Sequence, residues 1–252
     1  MRRHDIVDHA PAGQPFGLDW RRAADGVVLP LVLARFDSAT FAAGRFAEAG
    51  LACPAQIAGS VRKRQAEYFH GRLCARQALG ALAAAGDLSA GHGVGEVGVG
   101  AQREPLWPAG VVGSISHSKT LAAAVVADAA RCGGIGLDIE EWADRAAAEA
   151  MPGLVVSARE LAYLRGFERE MARERLLTLV FSAKESFYKG AFGAVGRLFD
   201  FNAIELARLD LDAGSLRFAL AETLSPQFQL GQSVTVECRV LGAAHVASLF
   251  VW

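Results

Sequence analysis

The sequence predicts an α+β protein built from two similar halves. Three observations carry this. The order of apolar patterns is strand, helix, strands, then strand, helices, strands. A seam of small residues, two glycines and a charge runs through 129–134. With 252 residues, 52% of them hydrophobic and a net charge of -1, the chain has the material for a sizeable core. Disorder is excluded, because it needs low hydrophobicity and high net charge. The halves expected are residues 1–132 and 133–252.

Residues 1–26 carry Pro11, Pro15 and three glycines and read as irregular. Residues 27–36 are rich in Val and Leu and read as a buried strand despite Pro30. Residues 60–85 form the first long helix. Ser60 is its expected N-cap, Val61, Tyr68, Leu73, Ala75, Leu79 and Leu82 its apolar stripe, and Gly86 its stop. Residues 86–110 are glycine-rich loop and short strand. Residues 112–115 and 121–127 read as strands around a Ser-His-Ser-Lys turn, and 134–140 as another strand. Ser157 and Glu160 have capping-box spacing and open a helix. Residues 172–191 form a second long helix. The tail from Phe199 alternates apolar and polar residues, with turns at 212–214 and 230–232, and reads as antiparallel strands.

Several function classes fall away. No apolar run approaches the roughly 18 residues that span a bilayer. The start, MRRHDIVDHA, has acids and no apolar core, which argues against a secretory signal. Near-neutral charge argues against bulk nucleic-acid binding. Cys53, Cys74, Cys132 and Cys238 form no CxxC pair and read as reduced thiols of a cytoplasmic protein. There is no P-loop. Gly93-x-Gly95-x-x-Gly98 matches a dinucleotide spacing but lacks the strand-turn-helix setting.

Four segments carry candidate chemistry. In GIGLDIE, Asp138 and Glu140 share one strand face with Gly136, while Ile135, Leu137 and Ile139 share the other. Two carboxylates so placed repel each other, and a hard divalent cation relieves that. A solvated strand edge explains them equally well. In VFSAKESFYKG, Glu185 and Lys189 stand four apart. An ordinary helix ion pair is the alternative there, set against the apolar company of Phe181, Phe187 and Phe192. In VGSISHSKT, Ser116 and His117 sit among small residues between two strands. Their side chains diverge on a strand and no nucleophile elbow exists, so a hydrolytic triad is disfavoured and a structural histidine stays open. Residues 62–76 hold Arg62, Lys63, Arg64, Arg72 and Arg76 against Glu67, a local charge of +4 suited to phosphate or to a solvated helix face. Arg103, in the Pro-restricted REPLWP segment, is a further phosphate candidate.

In this order SISHS, GIGLDIE and FSAKESFYK, behind the RKRxxE…GR helix and REPLWP, resemble the 4'-phosphopantetheinyl transferase superfamily. The resemblance is to its surfactin/enterobactin-synthetase type, on the enterobactin-like side, and covers about residues 60–190. It implies two α/β halves related by a pseudo-twofold, with the active site between them. It implies transfer of phosphopantetheine from coenzyme A to a serine of an apo acyl- or peptidyl-carrier protein, with Mg²⁺, releasing adenosine 3',5'-bisphosphate. By resemblance Asp138, Glu140 and Glu185 bind the metal, Glu185 is the general base, and Lys189 neutralises phosphate oxygens and assists the leaving group. Ser116 and His117 match positions that hold coenzyme A phosphate. Arg64, Arg72 and Arg103 are candidates for its adenosine-phosphate end. Siderophore and other secondary-metabolite synthetases are the expected clients, and a pseudo-dimer within one chain implies a working monomer. Two rivals stand beside this: a Mg²⁺-dependent phosphohydrolase using the same acids, and a non-catalytic carrier-binding protein.

Overall fold

A computed structural model describes residue 1, residues 3–86 and residues 95–252, with the backbone alone at Arg3. Gly93, and with it the discarded glycine spacing, lies outside the described residues. The chain divides into two compact units, His9–Gly133, and Met1–Asp8 with Gly134–Trp252. A short strand β1 (Arg3–His4) and a helical turn α1 (Ile6–His9) open the chain.

The first unit begins with β2 (Pro15–Arg21) and β3 (Val28–Arg35). β2 corrects the expectation that residues 1–26 are irregular. Proline suits the first residue of an edge strand, where its missing N–H costs no ladder bond. β2 is an edge, and it buries Trp20 completely. Pro30 is tolerated for a related reason: β3 pairs with its second neighbour only from Leu31 onward. Two short helices, α2 (Arg45–Glu48) and α3 (Ala55–Ala58), lead to the 23-residue α4 (Arg62–Ala84). Ser60 is not its N-cap. That position is Val61, and the Ser60 hydroxyl donates to the Gln56 carbonyl, closing the α3 turn instead. Val61 is 73% exposed, so the buried stripe starts later, with Ala66, Phe69, Cys74, Ala75, Ala78, Leu79 and Leu82.

A two-residue ladder, β4 (Gly98–Val99) with β5 (Pro105–Leu106), precedes β6 (Val111–His117) and β7 (Leu121–Asp128). The sheet is antiparallel in the order β2-β3-β7-β6, and α4 packs on β3, β7 and β6. Their shared core includes Phe36, Phe41, Phe46, Phe69, Leu79 and Val126.

The second unit repeats this path with additions. After β8 (Ile135–Glu141) come α5 (Arg145–Ala150), α6 (Ala158–Leu164) and the 23-residue α7 (Arg173–Val195). Then follow β9 (Ile204–Asp210), β10 (Ser215–Leu220), β11 (Ser233–Leu241) and β12 (His245–Val251). The order is β8-β12-β11-β10-β9, with β1 beside β11 in parallel. In both units a strand leads into a long helix, and a later hairpin returns its last strand beside the first: β3 beside β7, β8 beside β12. α7 covers β8, β12 and β11 over a core that includes Leu176, Leu179, Val180, Phe187, Phe218 and Phe250.

Candidate active site

Two chemically active regions emerge, one in each unit. The acidic one is built where α7 presses on β8. Every side chain of a packed strand and helix normally holds their backbones apart. Here both partners are glycine at the crossing. A Cβ on Gly136 falls 1.7 Å from the Ser186 carbonyl oxygen and 2.5 Å from the Gly190 nitrogen. The glycines of GIGLDIE and of the Lys189-Gly190 pair are therefore required by close approach. Ser182 and Ser248 extend the contact. The Ser248 hydroxyl donates to the Ser182 carbonyl at 2.6 Å, and the two hydroxyls meet at 2.8 Å.

This approach lets the Lys189 ammonium donate to Asp138 Oδ1 at 2.6 Å. The simple helix ion pair between Glu185 and Lys189 is thus replaced by a bond from helix to strand. Asp138 is 2% exposed, which removes the solvated-edge reading for it. Its strand face lies under α7, while Ile135, Leu137 and Ile139 are buried on the other. Burial, then the negative charge of Asp138, pushes the Glu140 carboxyl up to about 8, with Glu185 and Glu141 adding to the effect and Lys189 opposing it. Burial also raises the Glu185 carboxyl, with Lys189 pulling it down and Asp138 up. Burial by itself would lower the Lys189 ammonium, but Asp138, Glu185 and Glu140 outweigh it and hold it above its ordinary value.

Acids whose charge raises a neighbouring carboxyl, as Asp138 does for Glu140 and Glu185, form a site short of positive charge. Their all-oxygen donor set has the chemistry of a Mg²⁺ site. In the arrangement described, however, no three Asp, Glu, His or Cys side chains among the described residues gather closely enough to ligate one ion. The Lys189 ammonium on Asp138 supplies the local cation instead.

Lys184, which the sequence reading passed over, lies beside Glu185 but turns away from these acids. It is 2% exposed and donates to the Val155 carbonyl at 2.8 Å and to the Glu160 carboxylate at 2.9 Å. Glu160 also accepts from the backbone N–H of Ser157 at 2.8 Å and of Leu206 at 2.7 Å. The expected capping box is present, and its glutamate doubles as the counter-ion that ties α6, α7 and β9 together.

The second region is a cavity of about 320 Å³ in the first unit. α4 contributes Arg64, Glu67, Tyr68 and Arg72, the β4-β5 turn Arg103, and β6 Ile115 and His117. Three basic candidates from separate segments therefore line one cavity with His117. Ser116 does not line it. It is 3% exposed and faces away with Ser114, as strand alternation requires.

Arg64 Nη1 lies 3.1 Å from His117 Nε2. A guanidinium can only donate, so that nitrogen accepts, and the ring is neutral with its proton on Nδ1. Arg72 is partly committed, donating to the Val97 carbonyl at 2.7 Å with its guanidinium over the Tyr68 ring. Burial lowers its pKa from the usual arginine value. Arg103 adopts φ 68°, a left-handed conformation uncommon for a non-glycine residue. Glu104, next to it, uses its carboxylate to accept from the Gln102 N–H at 2.8 Å. It shapes the turn that presents Arg103. Gln56, Glu67 and Tyr68 line the cavity without having been singled out as site residues; only Glu67, the lone acid in a basic run, carried a signal.

Comparison with known proteins places both regions in one family. The N-terminal domain of the 4'-phosphopantetheinyl transferases matches residues 53–127, and the 4'-phosphopantetheinyl transferase superfamily matches residues 134–245. The chain is 35% identical over 161 residues to the 4'-phosphopantetheinyl transferase Svp of Streptomyces mobaraensis, covering 64% of this chain and 61% of that protein. It is 37% identical over 174 residues to enterobactin synthase component D of Salmonella typhimurium, covering 65% and 64%. With the Salmonella typhi protein of that name it shares 33% over 183 residues, covering 69% and 70%. The matches to the first two relatives thus span less than two thirds of their lengths. One family match falls in each compact unit, and a relative is covered over 70% of its length: the chain belongs to the 4'-phosphopantetheinyl transferase superfamily.

Proposed function

We propose that this protein moves the 4'-phosphopantetheine group of coenzyme A onto a serine hydroxyl of an apo acyl- or peptidyl-carrier protein, with Mg²⁺, leaving adenosine 3',5'-bisphosphate. The observation that carries this reading is that α7 sets Glu185 and Lys189 beside the Asp138 and Glu140 face of β8, with Lys189 donating to Asp138 at 2.6 Å and burial with the charges of Asp138 and Glu185 pushing Glu140 up to about 8. Acids whose charged forms disfavour one another in this way gain from a bound cation and hold a proton more readily than ordinary carboxylates.

Asp138, Glu140 and Glu185 are the carboxylates we assign to Mg²⁺. When bound, the ion supplies charge to pyrophosphate oxygens and polarises the phosphorus under attack. Glu185 takes the proton of the carrier serine, and its raised pKa makes it a better base than an ordinary carboxylate. Lys189 keeps its proton, so its ammonium is available to negative charge that grows on the departing phosphate. Arg64, Arg72, Arg103 and His117 hold coenzyme A phosphates, and forked arginine donors suit those oxygens. Ser116, on the opposite face of β6, is left without a role in that cavity.

Relatives named enterobactin synthase component D support carrier domains of siderophore and related secondary-metabolite synthetases as clients. The proposed working unit is a monomer in the cytoplasm. Among the described residues no helix is long and apolar enough to cross a membrane.

The test is intact-mass spectrometry of an apo carrier protein incubated with the protein, coenzyme A and Mg²⁺. One phosphopantetheine is gained on the carrier serine, and the gain is absent with Glu185→Gln. Hydrolysis of coenzyme A with no gain on any carrier replaces this reading with a phosphohydrolase. Asp138→Ala and Glu140→Ala shift the Mg²⁺ titration of the rate; titrations matching the parent remove them from the metal.

A further inference from the structure

An acid lining an anion cavity works against it unless it serves the cations there. Glu67 is such an acid, 8% exposed and lining the cavity with Arg64, Arg72, Arg103 and His117. Its carboxylate lies 3.8 Å from Lys63 Nζ, 3.6 Å from Arg64 Nη1 and 3.9 Å from His117 Nε2. All three separations exceed hydrogen-bond length, so Glu67 acts on Lys63 and Arg64 through charge and takes up none of their donors. The contact between α4 and β6 explains how Glu67 reaches His117. A Cβ on Gly71 falls 2.9 Å from Ile115 Cγ2, so helix and strand run close there. Glu67 is one helical turn before Gly71, and His117 is two residues beyond Ile115 on the same strand face.

We infer that Glu67 is a positioning residue for the coenzyme A phosphates: it acts through Arg64 and His117, holding them toward the cavity before the anion arrives. This rests on the reading of the cavity as a coenzyme A site. Lys63 and Arg64 crowd one helix turn and repel each other, and Arg64 already disfavours the charge on Arg72. A buried carboxylate among them offsets that repulsion. It also helps His117 fix a long guanidinium side chain that is 41% exposed even in this arrangement. The positioned Arg64 in turn sets the His117 tautomer.

The sign of one substitution separates this from simple electrostatics. Removing a negative charge from an anion cavity tightens binding if Glu67 only opposes the ligand. Under the present inference Glu67→Gln weakens it. Calorimetric titration of coenzyme A into the parent, Glu67→Gln and Glu67→Asp is the experiment. The expected result is roughly tenfold weaker binding for Glu67→Gln and a smaller loss for Glu67→Asp. In turnover, the coenzyme A KM rises with kcat at saturation unchanged, a split that general loosening of the fold does not give. Equal or tighter binding by Glu67→Gln overturns the inference while leaving the cavity's assignment intact. Absence of binding by the parent overturns the assignment itself, and the inference with it. Should Glu67→Gln not fold, Glu67→Asp decides: its charge is kept and its reach shortened, so binding at parental affinity overturns the inference.

Discussion

Helices α4 and α7 each run 23 residues along an antiparallel sheet, yet one presents a cationic cavity and the other a carboxylate cluster. The scaffold is the same; the spacing between helix and strand is not. α7 meets β8 backbone to backbone through Gly136 and Gly190, so its lysine reaches a carboxylate on the strand. α4 meets β6 through Gly71, but the facing atom is Ile115 Cγ2, a side-chain methyl rather than backbone. A tight crossing buries opposite charges against each other. A looser one leaves room for a cavity that a ligand can enter.

Breaking the tight crossing gives the largest effect expected. Gly136→Ala places a methyl against backbone that cannot move independently. We expect a loss of about 3 kcal/mol or more in urea unfolding, with turnover lost as well. Unfolding within 1 kcal/mol of the parent makes the crossing looser than described.

Lys184→Met comes next. It removes the ammonium from a buried pair and leaves Glu160 charged on two backbone N–H groups. A cost of about 3 kcal/mol is expected in the same assay. Burial lowers the Lys184 pKa while Glu160 raises it, so the pair stabilises only as a pair.

pH separates the two units by sign. The Glu140 carboxyl is raised from 4.5 to about 8 on folding, so its folded form binds the proton more tightly. Its contribution is fully present below about 4.5 and is lost as pH rises toward 8. Without divalent cation, Glu140→Gln should therefore raise Tm at pH 9 and leave it unchanged at pH 4. His70, in the first unit, behaves oppositely. Burial, countered by its bond to the Ala66 carbonyl and reinforced by Arg45, lowers it from 6.5 to about 4. Its contribution is present above about 6.5 and is lost as pH falls toward 4. Thermal melts across that range should show the loss in the parent and its absence in a folded His70→Gln. A loss of the same size in both assigns it elsewhere.

The smallest effects test the looser crossing. Gly71→Ala should cost about 1 to 2 kcal/mol, less than Gly136→Ala, since only the β-branched Ile115 side chain and not backbone must shift and alanine favours the helix. Gly80→Ala, on the same helix with open space around it, should gain about 0.5 to 1 kcal/mol. A Gly71→Ala loss as large as that of Gly136→Ala erases the distinction between the two crossings.

Much of this molecule is legible in its sequence. Periodicity fixes the two long helices, the strands that flank them and the antiparallel tail, because apolar spacing is a local property of the chain. The Ser157 and Glu160 capping box is equally local. Alternation along GIGLDIE assigns Asp138 and Glu140 to one face, and along SISHS it separates Ser116 from His117. What the sequence could not decide is which face meets what. Asp138 is under a helix rather than in solvent, and Lys189 bonds to it rather than to Glu185, because the register of α7 on β8 depends on contacts between residues about fifty positions apart. Edge position made a strand of residues that Pro15 and Gly17 mark as irregular. Ser60 closed the turn before it could cap the helix after it. Lys184 and Glu67 carried charge that any reading places at the surface; only packing put one against Glu160 and the other among Lys63, Arg64 and His117. Covalent neighbours set local conformation, whereas the partner of a buried charge is chosen by the tertiary contacts that exclude water from it.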